Sequence, residues 1–346
     1  MNTRVRTVFC MTGWMTIILV VALCGCRATP APTATPTPVL PTATSLPPTS
    51  TPLPPTPTPE PESWQQKTDM STWAAASSAA VLDNKVYVLG GVKRLSDGTL
   101  GIVQVYDPAT DTWDQGADMP TPRLAETCVL DGKIYSFGGS ITGNVANTSA
   151  TIEVYEPTTD TWETRADMPT PRNYFGIHVV DGKIYVFGGD AKCNCSVEVY
   201  DPETETWEKR SDMPTPRTYA SSALVDGKVY VVGGHLPKGD MISTVDVYDP
   251  ATDTWTQATD LPTPRFGLAS CVVDGKIHAI SGSVAAAMGV RLVPVVEVYD
   301  PTTGEWQQGP DLPRPRQIKS CAAVDGRIYV FGGPSLGDMW EYDPAR

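Results

Sequence analysis

Positive charge is scarce in this sequence: 26 Lys and Arg stand against 39 Asp and Glu, for a formal net charge of −13 over 346 residues. Phosphate recognition rests on basic surface, so this balance excludes a nucleic-acid partner. Histidine is scarcer still, with three residues at 178, 235 and 278. A zinc site wants four ligands, so neither a metal centre nor another cofactor is expected. Two enzyme signatures are missing as well, the Gly-x-x-x-x-Gly-Lys phosphate loop and the His-Glu-x-x-His zinc helix. Nor does an apolar stretch reach the ~20 residues of a membrane-spanning helix. The run from Val8 to Leu23 covers 16, with Thr12, Gly13 and Thr16 inside it.

What is present is proline, unevenly placed. Of 33 prolines, 13 fall between residues 27 and 61, where ten threonines accompany them and Arg27 and Glu60 are the only charges. Nothing in such a composition offsets the entropy of ordering, so residues 26–62 read as an extended, polyproline-like disordered linker. At about 3.1 Å per residue it could reach on the order of 100 Å. Ahead of it, Arg4 and Arg6 precede the apolar run, and Leu23-Cys24-Gly25-Cys26 closes it. Basic, then apolar, then small is the order of a secretory signal peptide. The Leu-x-Gly-Cys ending resembles a bacterial lipoprotein box. That resemblance implies removal of residues 1–25, lipidation of Cys26, and an extracytoplasmic protein anchored to a membrane at the cell surface or in the periplasm.

From residue 63 onward one pattern is written six times. Trp64, Trp113, Trp162, Trp207, Trp255 and Trp306 recur at spacings of 45 to 51 residues, the period of a stacked or radial array. A unit continues with Asp-Met or Asp-Leu, an apolar stretch ending in Asp-Gly, then [Ile/Val]-Tyr-x-x-Gly-Gly, a variable loop, and Val-[Glu/Asp/Gln]-Val-Tyr-[Asp/Glu]-Pro. Asp-Gly between two β-rich runs is a hairpin signal, because glycine accepts the positive φ of a type I′ turn. The alternation in Val-Glu-Val-Tyr gives one buried and one wetter face, and the proline that follows ends the strand. These are strands, not helices.

Gly-Gly, then a Tyr, then a Trp seven residues later resembles the kelch repeat. The resemblance covers residues 63–346 and implies an all-β, six-bladed kelch β-propeller, with strand a innermost, strand b ending at the Gly pair, strand c carrying the Tyr and strand d the Trp. Gly pairs or their equivalents begin at 90, 138, 188, 233, 281 and 332, but Tyr342 has no Trp after it. Trp64 is the one left over. The N-terminal strand is therefore expected to close the last blade and remove the open sheet edge.

Variable loops on a rigid scaffold are the usual seat of binding, and the spacing from the second Gly to the Tyr ranges from 9 to 17 residues. Five units also carry an arginine after a proline: Arg123, Arg172, Arg217, Arg265 and Arg316. The resemblance implies that the d–a and b–c loops share a face, so five guanidinium groups would ring a channel mouth and clamp a carboxylate or sulfate bidentately. The alternative is that each pairs with the Asp five residues before it and ties neighbouring blades. Tyr174, Tyr219 and Phe266 follow these arginines closely, placed either to stack on a sugar ring or to pack in the core. In the fifth unit His278 and Ser281 replace the repeat Tyr and Gly, and the apolar loop Val284 to Val296, with Arg291, reads as a partner contact or a flap over its own blade. Cys128, Cys271 and Cys321 fall in strand a, where buried thiols are commonly inert. For Cys193 and Cys195 a tight disulfide, a metal site and free thiols all stay open.

Together these features point to a monomeric, lipid-anchored binding module for a protein or an acidic carbohydrate. The rival is a mutarotase acting on a sialic-acid-like sugar acid at the arginine-lined mouth. Kelch enzymes that resemble galactose oxidase need copper held by two His and two Tyr, and three histidines in three units do not supply that set. Exported kelch mutarotases need only acid–base groups and an anion-binding arginine.

Overall fold

A computed structural model describes residues 64–345, apart from 73, 94–97, 144–146, 191–194, 238, 288, 317 and 333–336. The expected signal, Cys26 and the proline-rich linker lie outside the described residues.

Every regular element among the described residues is a β-strand. Asp131-Gly132, Asp181-Gly182, Asp226-Gly227, Asp274-Gly275 and Asp325-Gly326 hold both residues at positive φ, and Asp83-Asn84 does the same in the first unit. That is the type I′ geometry, whose twist matches the strands it joins.

Each unit folds into an antiparallel four-stranded blade. Blade 1 is β2 (Ser78–Leu82), β3 (Lys85–Leu89), β4 (Val103–Asp107) and β5 (Thr112–Gly116). Blade 2 is β6 (Leu124–Leu130), β7 (Lys133–Ser140), β8 (Thr148–Glu156) and β9 (Thr161–Arg165). Blade 3 is β10 (Gly176–Val180), β11 (Lys183–Phe187), β12 (Val197–Asp201) and β13 (Thr206–Arg210). Blade 4 is β14 (Ser221–Val225), β15 (Lys228–Val232), β16 (Val245–Asp249) and β17 (Thr254–Gln257). Blade 5 is β18 (Ala269–Val273), β19 (Lys276–Ile280), β22 (Val296–Asp300) and β23 (Glu305–Gln308). Its b–c loop forms a separate two-stranded hairpin, β20 (Ser283–Ala286) with β21 (Gly289–Leu292).

Blade 6 joins the two ends of the folded region. Its strands are β24 (Cys321–Val324), β25 (Arg327–Phe331), β26 (Met339–Tyr342) and, as strand d, β1 (Trp64–Lys67). Trp64 pairs with Tyr342 in register, and their rings lie 5.1 Å apart. The indole N–H of Trp64 donates to Pro310 O at 3.0 Å. Trp113, Trp162, Trp255 and Trp306 make the same bond to Thr68, Ala117, Ser211 and Thr259, each just before the Asp-Met or Asp-Leu of the preceding blade. The closing joint thus uses the bond found at four of the other five joints between blades.

The inner strands touch in a closed cycle, β2 to β6 to β10 to β14 to β18 to β24 and back to β2. Between blades the core is apolar: Phe137 and Ile152 of blade 2 pack with Ile184, Val186 and Tyr200 of blade 3. The Gly pairs bring successive blades together. A Cβ at Gly90, which has φ +67°, would stand 2.4 Å from the Arg123 carbonyl of the next blade, a contact that only glycine allows.

Candidate functional site

Where the inner strands begin, they enclose a cavity of about 490 Å³. The d–a and b–c loops meet on this face, with bridges between Ala75 and Val92, Thr218 and His235, and Phe266 and Ser283. Its wall is formed by the starts of all six a strands, and Leu292 reaches it from the β20–β21 hairpin.

The five arginines do not line this cavity. Arg123, Arg172 and Arg265 have no exposed surface, and Arg217 and Arg316 almost none. Each turns into its own blade and joins the start of strand a to strands b and c. Arg123 donates to Gly138 O at 2.9 Å, to Ser136 O at 3.0 Å, and to Glu153 of β8. Arg265 repeats the pattern with Ser281 O, Ala279 O and Glu297, and Arg217 binds Asp246. Arg172 lies between Glu198 at 2.9 Å and Asp190 at 3.8 Å, and Arg316 is bidentate to Asp338. The acid is therefore the charged residue of strand c for four of the arginines and Asp338, just before strand c, for Arg316; it is not the Asp five positions earlier, and the pair staples one blade rather than two. Burial favours losing the proton from Arg123, Arg217 and Arg265, and the paired carboxylate holds it on. Blade 1 has no arginine at this repeat position, and there the Gln104 amide bonds both N and O of Thr72 at 2.7 Å.

Tyr174 and Tyr219 do reach the cavity. Both occupy the left-handed region, with φ of 49° and 55°, a conformation that costs about 1–3 kcal/mol in a non-glycine residue and clusters at functional sites. Ala76 and Gly267 share that geometry in blades 1 and 5, at φ of 58° and 62°. The two tyrosine rings pack against each other tilted by 34°, with centres 4.3 Å apart, and Tyr219 continues to His235 at 5.3 Å and Phe266 at 5.9 Å. Burial pushes both phenols up.

Two charged residues of the cavity stand at one repeat position, three residues beyond the arginine: Glu126 in blade 2 and Lys319 in blade 6. The other blades place Ser77, Phe175, Ala220 and Leu268 there. The Lys319 ammonium lies 3.0 Å from Glu126 Oε1 and donates to Leu124 O at 3.1 Å and Ala125 O at 2.7 Å. A bulge in β6 between Leu124 and Glu126 accompanies these contacts, as bulges commonly re-aim side chains. Lys319 also stands 5.8 Å from the centre of the Tyr174 ring. Burial raises the Glu126 carboxyl, with Lys319 opposing. His178, bonded through Nε2 to Ser222 Oγ at 2.9 Å, is held near a pKa of about 4 by desolvation, and so is neutral at pH 7.

Cys271 and Cys321, expected as inert thiols, are joined as a disulfide between strands a of blades 5 and 6. Cys128 is a buried free thiol, as expected. Cys195 is disulfide-bonded, and Cys193 lies outside the described residues.

Six antiparallel blades closed around a cavity define a β-propeller. The chain belongs to the family of the KLHDC2/KLHL20/DRC7 Kelch-repeats domain, which matches residues 56–189 and 124–333. A solved structure described as "Structure of YjhT" is similar to it, with a TM-score of 0.66 and 17% sequence identity over 80% of this chain and 95% of that one. A likeness at that identity is one of fold.

Proposed function

We propose that this chain is a lipid-anchored, extracytoplasmic binding module that takes a small ligand in its central cavity. The carrying observation is the cavity itself, about 490 Å³ and bordered by two tyrosines in the left-handed conformation. That volume lies in the ordinary range for ligand pockets, roughly 300–1,000 Å³. Kelch propellers commonly mediate protein interactions, so binding agrees with the family. The export reading rests on the basic, apolar and Leu-x-Gly-Cys order of residues 4–26. The Cys271–Cys321 disulfide supports it independently, because disulfides persist mainly in oxidising compartments.

The test is saturation-transfer NMR of the purified protein with a saccharide library, repeated on Ser221→Trp, which fills the cavity from β14, and on Tyr219→Ala. Ligand signals that vanish in Ser221→Trp and weaken in Tyr219→Ala are expected. Binding that survives in both folded variants overturns the cavity as the site. For the anchor, labelling with a radioactive fatty acid in the parent but not in Cys26→Ala is expected, and equal labelling rejects it.

A second reading, a sugar-acid mutarotase, is favoured by one observation. The raised Glu126 carboxyl in the cavity is suited to hold and release a proton. NMR exchange spectroscopy of sialic acid with added protein decides it: faster anomer interconversion, lost in Glu126→Gln, supports the enzyme, and an unchanged rate rejects it.

A further inference from the structure

Counting the charges of the cavity against their partners narrows its ligand. Lys319 has three N–H donors, and Glu126 Oε1, Leu124 O and Ala125 O stand within 3.1 Å of them. The ammonium has no donor left for an incoming carboxylate. Glu126 is neutralised by the same contact. His178 is uncharged and bonded to Ser222. The arginines that could have clamped an anion are inside the blades, each against a carboxylate.

What the cavity does offer is hydroxyl groups. Ser221, Ser222, Ser270 and the phenols of Tyr174 and Tyr219 line it, between the apolar walls of Ala79 and Ile318. Ser270 Oγ is buried without a hydrogen-bond partner, a condition that calls for an explanation in a native structure. Hydroxyls both donate and accept, so they suit a partner that does the same, whereas a carboxylate only accepts. An acidic ligand would also have to displace Glu126 from Lys319 and leave a buried carboxylate uncompensated, which is strongly unfavourable.

We infer that the cavity binds an uncharged polyhydroxylated ring, a neutral saccharide, with Ser270 as one of its hydrogen-bonding groups. The inference rests on the proposed role of the cavity as the binding site. The same NMR measurement tests it with two panels: neutral glucosides, galactosides and their disaccharides, against glucuronate, galacturonate and N-acetylneuraminate. Neutral sugars are expected to bind at least about tenfold more tightly than acidic ones. Their affinity should be unchanged between about 0.05 and 0.5 M NaCl, since screening acts on charge pairs, and should fall about tenfold in Ser270→Ala. Tighter binding of the acidic panel, or affinity that drops with salt, overturns this inference and leaves the cavity as the site. Failure of both panels, or binding that persists in both Ser221→Trp and Tyr219→Ala, overturns the site and the inference together.

Discussion

Blades 2 and 3 carry the same repeat and differ in how completely it is hydrogen-bonded. In blade 2 the Tyr155 hydroxyl donates to Asp160 Oδ1 at 2.6 Å, the same oxygen accepts the Ala117 N–H at 2.6 Å, and Trp162 Nε1 donates to Ala117 O at 2.8 Å. Blade 3 has Glu205 where Asp160 stands. The longer side chain carries its carboxylate to Arg165 of blade 2 at 2.9 Å, and Tyr200 OH and Trp207 Nε1 are left buried without partners. The arginines divide the same way. Arg123 has its nitrogens bonded to three carbonyls, to Ser136 and to Glu153. Arg172 Nε has no acceptor, and its Nη2 approaches Glu198 Oε2 at 2.9 Å in an alignment too poor for a hydrogen bond. At the c–d turn one methylene thus separates a closed polar network from an open one, and the arginine contacts differ independently at the other end of the blade, although both blades keep the same strands.

The largest effect that would sharpen this contrast is removal of the arginine. Arg123→Met leaves Glu153, which is almost fully buried, without its cation, and breaking such a pair costs about 3–5 kcal/mol. Arg172→Met should cost about 1 kcal/mol less, because Glu198 is partly exposed and Asp190 keeps its bond from Ser196 Oγ. Urea unfolding of both variants measures the gap, and equal losses would break the comparison. A second difference is pH. His178 in blade 3, opposite Tyr185, occupies the register that Cys128 holds in blade 2 opposite Tyr135. Its folded pKa of about 4 lies below the ordinary 6.5. The stability it contributes is therefore complete above pH 6.5 and is lost as pH falls toward 4. The residue as a whole is half-buried, so the expected loss is about 1–2 kcal/mol. His178→Cys should flatten the stability profile over that window, measured by denaturation at each pH. The smallest effects come from the turn. Asp160→Glu should destabilise blade 2, and Glu205→Asp should stabilise blade 3, by about 1 kcal/mol each. Thermal midpoints moving in opposite directions are the expected outcome, and movement in one direction refutes the account.

Much of the architecture was legible in the chain. The Asp-Gly turns, the Gly pairs and the leftover Trp64 led to six blades and their closing joint, because each records a local backbone need. The arginines misled, since the motif around them gives no direction for a long side chain. Yet the correction was readable: where the arginine is present, strand c carries Glu153, Glu198, Asp246 or Glu297, and blade 1, which lacks it, carries Gln104. Blade 6 hides the rule, because Trp340 takes the position of the acid and Asp338, two residues earlier, serves instead. Glu126 and Lys319 left a similar trace as charges at a repeat position otherwise filled by Ser, Phe, Ala and Leu. That they meet across the inner strands is tertiary information, and no spacing within one repeat contains it. The Cys271–Cys321 link is of the same kind, since it depends on strands a of blades 5 and 6 lying side by side.

The pairing of Trp64 with Tyr342 also governs how the molecule is assembled. Among the described strands β1 leaves the ribosome first, yet its partner is the last of the propeller. Such distant pairing gives a high contact order, which slows folding, and exposes an unpaired edge until β26 has been made. Because the two ends meet, the order of the blades can be rotated along the gene. A circular permutant starting at the turn before β6 would keep every strand pair of the ring while giving the final blade a locally connected fourth strand, and it should refold faster than the natural order.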